Sequence, residues 1–238
     1  MYKMLGFLLV ILLMASGCII VYSDKPAADN QTQGTTAGAG NQSGNVQAPL
    51  IQPPAEKTLI LNMLAGESGS LIKSAATYMK SNMVCAGDTD ANFASRAFLS
   101  YDITSLPHSV SISQATLVLN NYAVIGSPTY QRSNWGNMGA LEFYSLQYGS
   151  SGDMGRLDYE STAPELGSIR LNSLTAAPLA VDVTQDNSGN NVIQQLLMDG
   201  AARCQFRVQF FTSTNWDSRA DLICLDGMIL KITYAALQ

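Results

Sequence analysis

The chain has 238 residues, with 13 basic and 18 acidic side chains and a formal net charge of −5. This acidic balance, and a sequence without any basic cluster, exclude nucleic acid as an expected partner. Charged residues make up 13% of the chain and hydrophobic residues 47%, which suits an extracellular β-protein with many polar turns.

The N-terminus has the layout of a secretory signal. Lys3 precedes an unbroken apolar run, and the small residues Ala15-Ser16-Gly17 follow it, just before Cys18. These are the three parts of such a signal. The segment Ala15–Cys18 also resembles the lipobox of bacterial and archaeal lipoproteins, in which the chain is cut before the cysteine and the sulfur receives a diacylglyceryl group. The resemblance implies a signal peptide over residues 1–17 and lipidation of Cys18.

A membrane-spanning helix is the alternative anchor. Met4 to Tyr22 is uncharged throughout, and an apolar stretch of this length crosses a bilayer as an uncleaved helix. In that case Cys18 is incidental. Two acyl chains or a spanning helix both give stable attachment, so either anchor places the chain at the outer face of a cell membrane.

The composition changes abruptly after the anchor. Residues 30–45 contain no aromatic residue and no apolar periodicity, so this stretch cannot bury enough apolar surface to offset the entropy of ordering. We expect residues 18–56 to comprise the lipidated cysteine and a disordered linker, stiffened by Pro53-Pro54 near its end. The linker spaces a domain of residues 57–238 away from the membrane.

The segment from residue 57 onward is long enough for one domain with a substantial core. Five strand signals are strong, and several show the two-residue alternation of an antiparallel strand that covers a core with one face. They are Thr58–Asn62, Arg96–Asp102, Ile112–Asn120, Gln205–Phe211 and Met228–Tyr234. Weaker candidates are Ala140–Ser145, Pro178–Val183 and Asp221–Leu225.

One segment has helical periodicity instead. In Asn190–Gly200 the apolar residues between Val192 and Leu197 recur with helical spacing. An asparagine is placed to cap the start, and Gly200 is placed to end the helix in the left-handed conformation. Many strands, turns between them and one short helix predict an all-β fold, an antiparallel two-sheet β-sandwich. The hydrophobic N-terminal helix and the disordered linker precede it.

The order of these segments resembles a known family. Arg96-Ala-Phe-Leu-Ser-Tyr-Asp-Ile-Thr-Ser-Leu-Pro107, followed by Val110–Leu119, is similar to the R-x-x-L-x-F-D-[IL]-S-x-L-P … I-x-x-A-x-L-x-L signature of DNRLRE-type modules, which are disaggregatase-related and carbohydrate-binding-module-like. Leu179–Thr184 and Leu230–Tyr234 resemble that family's x-V-D-V-T strand and its final L-x-V-x-Y strand. The resemblance covers residues 76–234. It implies a jelly-roll-like β-sandwich on secreted and surface proteins, with carbohydrate binding in some members.

The sequence gives no evidence of catalysis. His108 is the only histidine, which rules out a site built from several histidines, and we interpret it as an exposed turn residue. A glycosidase needs two carboxylates at a defined separation. Nothing in the spacing of the available carboxylates distinguishes them from solvated loop charges; these are Glu142, Asp158, Glu160 and Glu165. We therefore expect no enzyme and no catalytic residue.

A polar turn contains the leading candidate for a metal site, and the loop Asp186–Asn190 is a lesser one. Asp88 and Asp90 form a D-x-D pair, calcium takes several oxygen ligands, and β-sandwich modules often carry such an ion at a turn. Aspartates also occur in ordinary turns, where they satisfy nearby backbone groups. Calcium is the only cofactor that the sequence brings into consideration.

Three cysteines remain once Cys18 is assigned to the anchor, and a disulfide is chemically allowed outside the membrane. Cys204 and Cys224 lie near the starts of consecutive strand candidates, so this pair is a candidate disulfide. A bond from Cys85 to either of the other two is the alternative, since connectivity does not follow from sequence.

Aromatic residues on loops are the basis for a binding site. Tyr130, Trp135 and Tyr144 fall in or beside a long loop-rich stretch, and Trp216 lies in a second loop. Exposed rings stack on the apolar faces of sugars, and rigid scaffolds often carry function on their loops. The alternative is that these rings cover the ends of the core.

Two functions follow from these observations. In the first, the domain is a surface module that binds a glycan of the cell envelope or the surroundings, as the family resemblance favours. In the second, it is a structural or protein-interaction component of the envelope without a sugar site. One observation supports the second: the family often has a tryptophan in the helix, where this chain has Gln194–Met198.

Overall fold

A computed structural model describes the chain in five ranges, which are residues 54–120, 122–126, 138–150, 152–169 and 178–237. The predicted signal peptide, Cys18 and most of the linker lie outside these described residues, as do Tyr130 and Trp135. Within the five ranges, no helix has the length and apolar character needed to cross a membrane.

The described residues form thirteen strands and two short helices. The strands are β1 (Lys57–Asn62), β2 (Gly69–Lys73), β3 (Tyr78–Ser81), β4 (Cys85–Asp88), β5 (Ala94–Asp102), β6 (Val110–Leu119), β7 (Ala123–Ile125), β8 (Leu141–Ser145), β9 (Glu165–Ile169), β10 (Leu179–Asp182), β11 (Arg203–Phe210), β12 (Asp221–Cys224) and β13 (Ile229–Ala236). The helices are α1 (Arg156–Glu160) and α2 (Val192–Met198).

These strands form two antiparallel sheets. The smaller sheet has the order β1-β13-β6-β10, and the larger has the order β7-β12-β4-β5-β11-β8-β9, with β2 paired to both β5 and β3. Inward-facing residues of both sheets belong to one buried cluster, for example Leu117 and Ile232 of the smaller sheet and Leu99 and Phe206 of the larger. The predicted all-β, two-sheet β-sandwich is confirmed.

Helix α2 begins and ends as the sequence indicates. The Asn191 side chain accepts a hydrogen bond from the backbone N–H of Gln194 at 3.0 Å, and Gly200 follows the helix with a φ of +71°. Ile193 and Leu197 are buried in the core. The expectation of a single short helix is wrong, however, because α1 also forms.

The larger sheet is covered on both faces. In β11, Phe206 and Val208 face the core, while Gln205 and Arg207 face the opposite way, as the alternation predicts. Yet Gln205 and Arg207 are only 1% and 3% exposed. The chain after β8 folds over this outer face and seals it with a second buried cluster, formed by Leu71, Phe98, Tyr148, Met154 and Tyr159.

The polar side chains of that outer face hold the covering segment in place. Gln205 Oε1 accepts hydrogen bonds from the backbone N–H groups of Tyr148 and Gly149 at 2.9 and 3.1 Å. Arg207 Nη1 donates to the carbonyl oxygens of Asp158 and Ser161 at 3.1 and 2.8 Å. Buried polar groups are tolerated when they are paired in this way. The broad outer face is therefore closed to an extended ligand.

The disulfide joins Cys85 of β4 to Cys224 of β12, whose Cα atoms are 4.1 Å apart and which lie directly opposite in the strand register. The candidate pair Cys204–Cys224 is wrong. Cys204 lies on β11, is fully buried in the core and is a free thiol, and β4 and β5 separate its strand from β12. The bond is of the alternative kind, from Cys85 to another cysteine.

Removing this bond should destabilise the domain strongly. The bonded cysteines are 139 residues apart in the sequence, and the loop-entropy model gives about 5 kcal/mol for a loop of this length. We expect the variant Cys85→Ala/Cys224→Ala to unfold at a lower urea concentration than the wild-type chain. Dithiothreitol should lower the urea midpoint of the wild-type chain and leave that of the double variant unchanged.

The variant Cys204→Ala is the matched control, because it removes a cysteine and leaves the bond intact. Its urea midpoint should still fall on reduction. A midpoint that no longer responds to dithiothreitol in this control would contradict the assigned pairing.

Candidate functional site

Among the described residues, three that are not glycine have positive φ angles, and all three lie in two neighbouring loops. Asn92 (φ +57°) lies in the Asn92 loop, residues 89–93, between β4 and β5. Trp216 (+61°) and Ser218 (+59°) lie in the Trp216 loop, residues 211–220, between β11 and β12. Side chains disfavour this region of backbone conformation, and residues held in it concentrate at functional sites.

A cleft of about 390 Å³ opens beside these two loops. The Trp216 side chain lines it and is 75% exposed. The lining residues also include the half-buried Phe93, the buried Tyr159 and the cationic Lys73 and Arg96. The cleft therefore offers one exposed indole ring surrounded by groups that form hydrogen bonds, a combination typical of small-ligand sites.

Two larger hollows in the described part of the chain lack this combination. One, of about 700 Å³, runs along α2 without an aromatic residue in its lining. The amides of Asn191 and Gln194 in that lining are already bonded to the backbone of Ile112. The other, of about 530 Å³, also lacks an aromatic residue, and its Arg203 forms a salt bridge with Glu67 at 2.9 Å.

The carboxylate of Asp88 ties the Trp216 loop to β4. The side chain is fully buried, and its Oδ2 accepts hydrogen bonds from the Thr214 hydroxyl at 2.7 Å and from the backbone N–H of Asn215 at 3.1 Å. The Thr214 hydroxyl oxygen in turn accepts a hydrogen bond from the backbone N–H of Trp216 at 3.2 Å. A buried carboxylate is thus connected to Trp216 through one hydroxyl group.

A second carboxylate lies beside the first. Asp221 is directly opposite Asp88 in the β4–β12 register, is 1% exposed, and accepts a hydrogen bond from Asn215 Nδ2 at 2.7 Å. Burial raises the pKa of both carboxyl groups, and the negative charge of Asp217 raises the pKa of each further. Two buried carboxyl groups therefore bind the base of the Trp216 loop, which is formed by Thr214 and Asn215.

A reciprocal pair of hydrogen bonds joins the two loops directly. Asn92 Oδ1 accepts from the backbone N–H of Ser218 at 3.1 Å, and Asn92 Nδ2 donates to Ser218 Oγ at 3.3 Å. Both residues have positive φ angles, so the strained positions of the two loops stabilise each other.

The structure separates the residues that the sequence suggests for ligand binding. Trp216 lines the cleft. Tyr144 lies on β8, half-buried, where its hydroxyl donates to Glu142 at 2.5 Å and the Arg207 guanidinium lies 5.0 Å from its ring centroid. Tyr144 therefore belongs to the outer face of the larger sheet and not to the cleft.

The two calcium candidates, Asp88 and Asp90, lie in different environments. Asp88 is buried, whereas Asp90 is exposed, and the hydrogen bonds to Asp88 come from the Trp216 loop. The geometry thus offers calcium one buried and one exposed carboxylate and not a converging pair. In the described ranges, no three His, Cys, Asp or Glu side chains are grouped to hold a metal ion. Calcium at Asp88 and Asp90 stays a prediction.

The histidine and the carboxylates considered for catalysis are not among the residues that line the cleft. His108 is exposed in its turn, as predicted. Glu160 forms salt bridges with Lys73 and Arg156, both at 2.9 Å. A hydrogen bond from the Tyr78 hydroxyl and the two cations lower the pKa of Glu160 to about 2. The general acid of a glycosidase needs a raised pKa, so Glu160 has the opposite property.

Sequence patterns do not identify several lining residues of the cleft. Asn92 and Phe93 follow the predicted D-x-D turn but carry no motif of their own. Arg96 attracts notice only as the first residue of the family signature, and its guanidinium lies 4.2 Å from the ring centroid of Tyr159. The contact joins residues far apart in the sequence, so no local pattern could reveal it.

A comparison of the sequence with models of protein families finds no match, and a comparison with curated proteins finds none either. The resemblance to DNRLRE-type modules therefore stays a prediction from the residues that carry it. The function has to be argued from the site itself.

The buried carboxylate of Asp88 should be visible in the pH dependence of stability. Burial raises the pKa of Asp88 in the folded protein above its ordinary value, so the folded state binds a proton more readily than the unfolded state. Lowering the pH through this window therefore favours the folded state at this residue. The free energy of unfolding of the wild type, minus that of Asp88→Asn, should rise as pH falls from about 7 towards about 4.

Urea titrations of the two chains at matched ionic strength give this difference directly. Carboxyl groups remote from Asp88 titrate alike in both chains, so their contributions cancel. The charge of Asp88 also raises the pKa of Asp221, and the loss of this effect in Asp88→Asn changes the difference in the same direction. A difference that is constant or falls over this range would contradict the effect of burial on Asp88.

Proposed function

We propose that the chain is a membrane-tethered surface protein whose domain binds a glycan at the Trp216 cleft. One observation carries the proposal: Trp216 is 75% exposed, yet its backbone is held in a left-handed conformation beside a cleft lined with polar groups. A ring that merely covered the core would be buried. An exposed ring on a backbone that is held in position is instead available for a ligand.

The chemistry of the cleft suits a saccharide. Sugar rings have apolar C–H faces, and an indole ring provides a flat surface against which such a face packs. Sugar hydroxyls need donors and acceptors around that surface. Lys73 is paired with Glu160 and Arg96 donates to the Tyr159 carbonyl oxygen, but each carries further N–H groups. Ser213 supplies a hydroxyl that both donates and accepts.

The location outside the membrane is part of the same proposal. It rests on the signal-like N-terminus and the lipobox-like segment before Cys18. The Cys85–Cys224 bond supports it, because structural disulfides form and persist mainly in oxidising environments outside the cytoplasm. A domain displayed there would meet glycans of the envelope or the surroundings.

A structural or protein-interaction role in the envelope is the second candidate. The observation in its favour is the closed outer face of the larger sheet, where Tyr148 and Tyr159 are buried by the protein itself. That arrangement removes a broad aromatic surface to which a long polysaccharide would bind. The cleft beside Trp216 still supports the first candidate more strongly.

Substitution of Trp216 by alanine should remove glycan binding. Burial of a large aromatic side chain contributes about 1.5–3 kcal/mol, so affinity should fall at least about tenfold. The full chain in detergent micelles is applied to a glycan array, and the affinity of each glycan that binds is then measured by calorimetry for wild type and Trp216→Ala.

Phe211→Ala is the matched control, because Phe211 is 73% exposed in the same loop but does not line the cleft. It should bind like the wild type. A wild-type chain that binds no glycan, and instead cross-links to envelope proteins, would favour the second candidate.

The form of the anchor is decided by mass spectrometry of the N-terminus of the chain isolated from its native membrane. We expect a chain that begins at Cys18 and carries a diacylglyceryl group, since small residues precede the cysteine. An intact Met1 would instead establish the spanning helix and rule out lipidation.

A further inference from the structure

The conformation of the Trp216 loop is not one that its own residues favour. A left-handed backbone costs roughly 1–2 kcal/mol for a residue with a side chain, and the loop contains two such residues, Trp216 and Ser218. Its residues are largely exposed or half-buried, so packing contributes little. Contacts at its base must therefore select the observed conformation.

The hydroxyl of Thr214 is the central contact at this base. Thr214 Oγ1 lies 2.7 Å from Asp88 Oδ2 and 3.2 Å from the backbone nitrogen of Trp216. A hydroxyl has one proton to donate, and an ionised carboxylate only accepts. The Thr214 proton must therefore point to Asp88, which leaves a lone pair of the hydroxyl for the N–H of Trp216. The carboxylate fixes the direction of both bonds.

The same carboxylate oxygen holds the loop at a second point. Asp88 Oδ2 also accepts from the backbone N–H of Asn215 at 3.1 Å. Two consecutive residues before Trp216 are thus bound to one buried atom, which belongs to a strand and not to a loop. Side chains on rigid elements position a site more accurately than side chains on loops.

We propose that Asp88 and Thr214 are positioning residues for Trp216, and that together they hold the indole ring ready for the ligand before the ligand arrives. The proposal deepens the glycan-binding function and rests on it. Neither residue needs to touch the sugar. Their effect on affinity comes from the fraction of molecules whose loop is in the binding-competent conformation, because apparent affinity falls in proportion to that fraction.

The isosteric change Thr214→Val tests this directly, since it removes the hydroxyl and keeps the shape. Thr214 is half-buried, so the fold should survive. Thr214→Ser keeps the hydroxyl and is the matched control. Asp88→Asn keeps one oxygen acceptor for Thr214 and Asn215, and serves as a second conservative variant.

Motion of the ring is measured without any ligand. The chain contains two tryptophans, so Trp135→Phe leaves Trp216 as the only one, and the fluorescence anisotropy decay of the full chain in micelles then reports on Trp216 alone. We expect a single slow decay in this background, in the serine variant and in Asp88→Asn. In Thr214→Val we expect an added nanosecond component, with unchanged circular dichroism.

Affinity is measured separately, in chains that retain Trp135, for a glycan that the array identifies. Thr214→Val should weaken binding about tenfold and Thr214→Ser about twofold or less. Anisotropy that is unchanged in Thr214→Val would overturn the proposal, and so would a loosened loop that binds the glycan with wild-type affinity. If the wild type binds no glycan, the proposed function fails and the role in ligand binding fails with it, while the anisotropy still shows whether Thr214 orders the loop.

Discussion

The short pairing between β4 and β12 is the constraint on which the candidate site depends. Four residue pairs form it, with Cys85 opposite Cys224 at one end and Asp88 opposite Asp221 at the other. The disulfide closes the first end covalently, and the two buried carboxylates hold the Trp216 loop at the second. Gly87 allows this approach, since a Cβ atom there would lie 1.9 Å from the carbonyl oxygen of Asp221. A displacement of either strand would move Asp88 away from Thr214.

The two faces of the larger sheet serve different purposes. The inner face supplies the hydrophobic core, whose burial drives folding. The outer face binds the chain's own covering segment, and Arg207 and Gln205 use their hydrogen bonds for that purpose. The proposed ligand site consequently lies on the loops at the margin of the sheet and not on the sheet itself. The resulting division of labour, a closed scaffold with function on its loops, is common in β-sandwiches.

The predictable part of the fold is the part with long, regular alternation. Strands β5, β6, β11 and β13 have eight to ten residues each, which is enough for the two-residue period to stand out. Strand β4 has four residues, all buried, with a glycine among them, so it shows no alternation at all. Helix α1 likewise gives no periodic signal in the sequence, because it has only five residues and its Leu157 is 84% exposed.

The site was predictable only in part, for a similar reason. An aromatic residue in a polar loop pointed to Trp216. A D-x-D pair pointed to Asp88, either as a calcium ligand or as an acceptor for backbone groups of its own turn, but not as an acceptor for the Trp216 loop. The contacts that join the two loops could not be predicted. Asn92 and Ser218 are 126 residues apart, and only the pairing of β4 with β12 brings their loops together.

The cysteines show what this long-range pairing means for the folding of the domain. The three cysteines of the described residues allow three different pairs, and two of the three involve Cys204. In the folded domain Cys204 is inaccessible in the core, and burial raises the pKa of its thiol, so it forms little of the thiolate that disulfide exchange requires. Cys85 and Cys224 meet only when strands from opposite halves of the domain have aligned. Formation of the Cys85–Cys224 bond therefore indicates that these strands have aligned. A chain in which this bond is present and Cys204 is still a free thiol is one whose core has already formed.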